Sequence, residues 1–257
     1  MIRIVIPTYK RPKSLAGKEY FTKAKYVLPE KQRDDYLKVL PAKRMIVIPD
    51  KCDGNIARKR NWILDNIERP LLMIDDDISC LRMTEGMHES NRSRFKEKGI
   101  ERIKLTIDQA MEVIQNGFNL AAEFGCIFWG INLNEDGRNY QQYKPLSLTQ
   151  VVLGPFGGHL KHDMHYDERM GTKDDYDFAF QMLNRYKKIL RLNKFSYDGA
   201  HGDNPGGIVS MRTMETEIHY CQAIMKKWGR HIIRYKIPPK KMADLLNGRV
   251  NIPLQGV

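Results

Sequence analysis

The chain reads as an α/β fold built on a mixed, mainly parallel sheet with helices on both faces. Three observations predict it. Short apolar, strand-forming runs recur at residues 2–6, 45–48 and 71–74, and each gives way to polar residues. A stretch with helical spacing, residues 55–67, joins the second run to the third through Ile56, Ile63, Leu64 and Ile67. That strand–helix–strand order with short connections belongs to parallel sheets with right-handed crossovers, whose ligands gather beyond the carboxyl ends of the strands.

The first run ends at Pro7 and the second at Pro49, so both are buried strands running into loops. Between them, residues 10–44 hold 11 Lys and Arg against 4 acids, and Pro12, Gly17 and Pro29 make part of the stretch a loop excursion. Residues 82–104, with 7 Lys and Arg and 4 acids but few large apolar side chains, are expected to form a loop or lid. Thr106-x-x-Gln109 is a capping-box signature opening a helix whose Ile107, Met111, Ile114, Phe118 and Ala121 share one stripe. Residues 126–131 and 151–153 are further strands, and 154–158 (Gly-Pro-Phe-Gly-Gly) read as a turn. Thr172 is expected to cap a helix over 173–190. The 210–213 region opens another helix that runs to Trp228 and stops at Gly229. With neither repeat nor linker in the 257 residues, one domain is expected.

Composition closes off several function classes. Hydrophobic residues make up 42% of the chain, enough to fill a core, yet no apolar run reaches the 18 or so residues of a membrane helix. The amino terminus lacks a signal-peptide pattern, and Cys52, Cys80, Cys126 and Cys221 form no Cys-x-x-Cys pair. A cytoplasmic location without membrane insertion is expected. The net charge of +12 favours polyanionic partners.

Asp75-Asp76-Asp77, at the end of an apolar run, needs a physical reason, because adjacent carboxylates repel. A divalent cation removes that cost, and oxygen ligands suit Mg²⁺ or Mn²⁺. Alternate residues leave a strand end on one side, so Asp75 and Asp77 can converge on an ion while Asp76 points away. The same acids would also suit an Asx turn or a helix N-cap.

Three motifs in order, Ile4-Val5-Ile6-Pro7-Thr8-Tyr9-Lys10-Arg11, Gly54-Asn55-Ile56-Ala57-Arg58-Lys59-Arg60-Asn61 and Leu72-Met73-Ile74-Asp75-Asp76-Asp77, resemble the nucleotide-sugar half of a GT-A-fold glycosyltransferase. The resemblance covers about the first 80 residues and implies a GT-A-like (Rossmann-like) sheet. It implies that Pro7, Thr8, Tyr9 and Arg11 line a nucleoside pocket and that Asp50 approaches the base. Asn55 and Arg58 would then serve the diphosphate or sugar, Asp75 and Asp76 the ribose or sugar, and Asp77 with Asp75 the metal. Two residues separate Arg58 from Asn61, which departs from the family's Ala-Arg-Asn pattern, and a solvated basic helix face would equally explain Arg60.

Residues 105–257 would form the acceptor half. Gly171-Thr172-Lys173-Asp174-Asp175 is similar to the Glu-Asp motif of inverting members, with Asp174 in place of the Glu and Asp175 in place of the base on the acceptor hydroxyl. The alternative is simply acids placed well in a helix's first turn. His201, in a glycine-dense loop, is the candidate third metal ligand, with His219 behind it. His159, His162 and His165 have metal-like spacing but fit a polar loop better.

Residues 226–257 carry 8 Lys and Arg against the single Asp244. Lys226, Lys227, Arg230, Arg234, Lys236, Lys240 and Lys241, with Trp228 and Tyr235 among them, suit phosphate contact with occasional stacking. A solubilising surface is the alternative. Within the superfamily the chain is similar to phage TET/JBP-associated glycosyltransferases, which implies a UDP-sugar donor and hydroxymethylated pyrimidines in double-stranded DNA as acceptor. A polysaccharide- or protein-modifying transferase, a nucleotidyltransferase and a non-catalytic DNA-binding protein are the rivals.

Overall fold

The structure is a computed structural model that describes residues 1–86, 100–133, 144–199 and 212–254. In chain order, β1 is Arg3–Pro7, β2 Lys25–Pro29, α1 Arg33–Leu37 and β3 Met45–Ile48. Then come α2 (Ile56–Asn66), β4 (Leu71–Ile74), β5 (Ile78–Gly86), β6 (Ile100–Lys104) and α3 (Ile107–Glu123). They are followed by β7 (Phe128–Ile131), β8 (Leu146–Ser147), β9 (Phe156–His159), α4 (Asp174–Tyr186), β10 (Leu190–Leu192) and β11 (Phe195–Gly199). The last elements are α5 (Met214–Trp228), β12 (Ile233–Arg234), α6 (Ala243–Leu246) and β13 (Arg249–Val250).

Eight strands make one sheet in the order β3-β2-β1-β4-β9-β7-β10-β8. The pairs among β3, β2, β1 and β4 are parallel, as is β7 with β10, while β9 and β8 run the other way. The expected mixed, mainly parallel α/β sheet is therefore what forms. Strand alternation divides the core in two. Val5, Leu71 and Met73 face one cluster with Ile63 and Leu64 of α2 and residues of α4 and α5. Ile4, Ile6, Leu72 and Ile74 face the other, with Ile114 and Phe118 of α3 and Tyr36 of α1. The Thr106 capping box and the α5 span, from its Thr213 cap to Gly229, form as expected.

Part of the 10–44 stretch is the expected loop, over residues 10–24, and several other expectations are extended or corrected. The basic 10–44 stretch contains β2, whose Tyr26, Val27 and Leu28 are buried between β1 and β3 despite lysines on its amino-terminal side. The 82–104 stretch is strand at both described ends, where β5 pairs with β6; residues 87–99 lie outside the described residues. Residues 151–153 are not a strand, and the supposed turn beyond them is β9, the strand joining the sheet's two halves. Its Gly158 is a glycine because a Cβ there would overlap the indole of Trp129 on the neighbouring strand. Thr172 does not cap α4: a 3-10 turn over Glu168–Lys173 runs straight into the helix. That helix ends at Tyr186, where Lys187 turns left-handed, so the last residue assigned to it begins β10.

This topology sets the site. The carboxyl ends of β1, β3, β4 and β7 and the amino end of antiparallel β9 share one edge of the sheet. A backbone bond from Asp75 N to Pro155 O, 2.8 Å, ties two of these ends together.

Candidate active site

At that edge lies a cavity of about 430 Å³, lined from the first half of the chain by Pro7, Thr8, Tyr9, Arg11, Asn55 and Asp75-Asp76-Asp77, and from the second half by Gly154, Asp174, Asp175 and Tyr176. Each half of the chain thus supplies part of the wall.

In the first half the three aspartates do different things. Asp76 is buried; Thr8 Oγ1 donates to it at 2.6 Å and Arg11 Nη1 at 2.7 Å. Burial pushes its carboxyl up, and those two donors pull back. Asp76 therefore fastens the end of β4 to the loop after β1 rather than presenting oxygens to a ligand. Arg11 is consumed in the same contact, and its backbone N–H donates to Tyr36 Oη at 3.1 Å. Asp75 and Asp77, half-buried, flank it on the cavity side.

Arg60 links the two halves. Its Nη2 lies 3.1 Å from Asp75 Oδ1 and its Nη1 2.8 Å from Asp174 Oδ2. One guanidinium thus serves a carboxylate from each half of the chain. Burial raises Asp75 to about 6 and Asp174 to about 7; Arg60 opposes both shifts, and neighbouring aspartates add to them. Burial also raises Asp175, again against Arg60. Asp175 is half-exposed at the cavity and free of Arg60's hydrogen bonds, and its Oδ1 accepts from Tyr176 N at 2.7 Å. Its other oxygen sits against Gly154, which has φ +36; a Cβ there would lie 2.9 Å from Asp175 Oδ2. Of these two acids, the one that can reach a ligand is Asp175, and the one fixed by Arg60 is Asp174.

Several expected residues sit elsewhere. Asp50 does not line the cavity; its Oδ1 accepts from Lys31 N at 3.1 Å, and buried Asp53, paired with Lys59 at 2.9 Å, lines the wall instead. Arg58 is exposed and pairs with Glu168 at 2.9 Å. The helical phase of α2 contained the signal that was missed. Arg60 is four residues from Ile56 and three from Ile63, on the buried stripe, whereas Arg58 is not. Asn55 caps α2, its Oδ1 accepting from Ala57 N at 2.8 Å, while its Nδ2 donates to Glu168 O at 3.0 Å. Asn61 bolts α2 to the Tyr166 backbone at 2.8 and 2.9 Å. Lys173 and Arg212 also line the cavity and were not anticipated.

His201 lies outside the described residues, and His219 is exposed on α5. His159 Nδ1 and His162 Nε2 are 3.0 Å apart, and His162 Nδ1 accepts from Met164 N at 3.2 Å. Burial holds both rings neutral, His162 down at about 4, while His165 turns to Asp65 at 2.6 Å. Among the described residues no group of three or more His, Cys, Asp or Glu side chains is arranged to hold a metal.

Lys226, Arg230, Arg234, Lys236, Lys240 and Lys241 are exposed on the carboxyl-terminal segment, which reaches the cavity through Leu246 and Asn247. Lys227 differs from them: its Nζ lies 2.8 Å from both Asp167 and Asp177. None of the helices among the described residues is long and apolar enough to cross a membrane.

No curated protein matches the chain. The family model for TET-associated glycosyltransferases does match it, over residues 2–207. That span takes in the cavity's aspartates from both halves of the chain and Arg60. The chain therefore belongs to the TET-associated glycosyltransferase family.

Proposed function

We propose that the protein transfers a sugar from a UDP-sugar to the hydroxymethyl group of 5-hydroxymethylcytosine or 5-hydroxymethyluracil in double-stranded DNA. The observation that carries this reading is that Asp75, Asp77 and Asp175 line one cavity, which the basic carboxyl-terminal segment reaches through Leu246 and Asn247.

Asp175 takes the proton of the acceptor hydroxyl as that oxygen bonds to the sugar's anomeric carbon and the nucleoside diphosphate departs. Burial raises its proton affinity, which makes it a better proton acceptor than an exposed carboxylate. Tyr9 offers the nucleoside an aromatic face flanked by the ammonium groups of Lys10, Lys31 and Lys59, 5.1, 5.9 and 5.5 Å from the ring centre.

The acids fit a hard divalent cation, Mn²⁺ or Mg²⁺. Asp75, Asp77, Asp174 and Asp175 all line the cavity, with Arg60 bonded to Asp75 and Asp174, so the site offers a hard, oxygen-only set of carboxylate donors. Asp75 and Asp77 would hold the ion, with His201 as the third ligand. Bound there, it would neutralise charge building on the leaving diphosphate.

A base in duplex DNA reaches Asp175 only by leaving the stack, at a cost of about a few kcal/mol. Phosphate contacts from Lys226, Arg230, Arg234, Lys236, Lys240 and Lys241 offset that cost. The test is incubation of hydroxymethylcytosine and hydroxymethyluracil duplexes with a panel of nucleotide sugars, followed by mass spectrometry of the nucleosides. A hexose-sized gain on the modified base alone is expected, together with duplex affinity that falls steeply with salt. Unmodified nucleosides, or affinity flat against salt, would remove the DNA reading.

A further inference from the structure

Among the described residues five basic side chains line the cavity, and four of them are already committed. Arg11 is held by Asp76 at 2.7 Å, and Arg60 is divided between Asp75 and Asp174. Lys59 pairs with Asp53 at 2.9 Å and donates to Thr8 O at 2.6 Å. Lys173, 2% exposed, donates to Glu217 at 2.9 Å and to Leu245 O at 2.7 Å.

Arg212 is the fifth. Its Nε lies 3.2 Å from Glu217 Oε1, and neither of its Nη groups has a partner among the described residues. Glu217 is fully buried and its single charge is already matched by Lys173. The Glu217–Lys173–Arg212 group therefore carries one surplus positive charge, located on the side chain that opens to the cavity. Glu217 holds the guanidinium by this ion-pair contact alone, without a hydrogen bond to Nε, and the two Nη groups keep four N–H donors in a planar fork, the geometry that matches phosphate oxygens two at a time.

We infer that Arg212 is an anion-binding residue of this cavity, whose Nη groups hold a phosphate of the donor's diphosphate. The inference rests on the transferase reading and adds a residue to it, from beyond the 2–207 family match. Glu217 acquires a joint role as a positioning residue. One of its oxygens steadies Lys173, next in sequence to Asp174-Asp175, and the other steadies Arg212. The diphosphate and the acceptor-side acids are then referenced to one buried carboxylate on α5.

The test is titration of UDP and of uridine, with Mg²⁺ present, into wild type, Arg212→Gln and Arg212→Lys, with thermal melts to establish that each variant is folded. Arg212→Gln is expected to weaken UDP about 10- to 100-fold, the size of a lost charge-assisted contact, without changing uridine binding. Arg212→Lys, which keeps the charge but not the fork, should recover part of the loss. Wild-type UDP affinity in folded Arg212→Gln would overturn the assignment and reduce Arg212 to balancing the cavity's acids. A wild-type protein that binds no UDP would overturn the transferase reading along with it.

Discussion

The acids at the end of β4 and those at the start of α4 belong to different kinds of element, yet they divide their labour alike. In each group one carboxylate is buried in structural bonds: Asp76 in those from Thr8 and Arg11, Asp177 in those from Lys227, Gln181 and Trp228 Nε1 at 2.7 Å. In each, a second is gripped by Arg60, Asp75 on one side and Asp174 on the other. In each, a further acid lines the cavity outside that grip, Asp77 and Asp175 respectively. The difference lies in what enforces the pattern. The strand end separates alternate residues by its pleat, whereas the helix start separates neighbours by turning them 100° apart. Clustered acids therefore do not identify a ligand set by count; the partners of each one do.

Arg60→Met breaks the comparison most severely, because it strips both groups of their shared cation. Calorimetric melting is expected to show about 3–5 kcal/mol of lost stability, the usual cost of orphaning a buried charge, and any folded fraction should transfer sugar poorly. Arg60→Lys keeps the charge but reaches one partner at a time, so it should restore stability more than activity.

Asp177→Asn sharpens the comparison with a smaller effect. About 1–3 kcal/mol should be lost as Lys227 and Trp228 lose a charged acceptor, with turnover per folded molecule unchanged. A fall in turnover without a fall in melting temperature would move Asp177 from the structural to the chemical member of its group.

Legibility in the sequence followed the same physics. Strands β1, β3 and β4 and the helices α2, α3 and α5 were readable because their signals are local: β-branched runs, a 3.6-residue stripe, a capping box. Strand β9 was not, since its glycines answer to Trp129 and Phe128 on the neighbouring strand, a tertiary demand that looks like a turn in one dimension. Strand β2 is hidden by lysines at its amino-terminal side, Lys23 before it and exposed Lys25 as its first residue. At the site, Pro7-Thr8-Tyr9 and Asp75-Asp76-Asp77 lie at the cavity, as the resemblance implied. Motif position points to Arg58 where helical phase points to Arg60, and proximity to a strand end points to Asp50 without revealing which way the following turn runs. Lys173 and Arg212 were invisible, for both depend on Glu217, 44 residues beyond the first of them and fully buried on another helix.

The division of labour between Asp77 and Asp175 is tested most directly by measuring UDP binding with Mn²⁺ and sugar transfer to hydroxymethylcytosine DNA on the same preparations of Asp77→Asn and Asp175→Asn. Asp77→Asn should lose UDP affinity and transfer together. Asp175→Asn should bind UDP as wild type does while transfer falls about 10²- to 10⁴-fold, the span of a removed general base. Wild-type transfer by Asp175→Asn, or equal loss of UDP affinity in both variants, would contradict the assignment of donor and acceptor chemistry to the two halves of the chain.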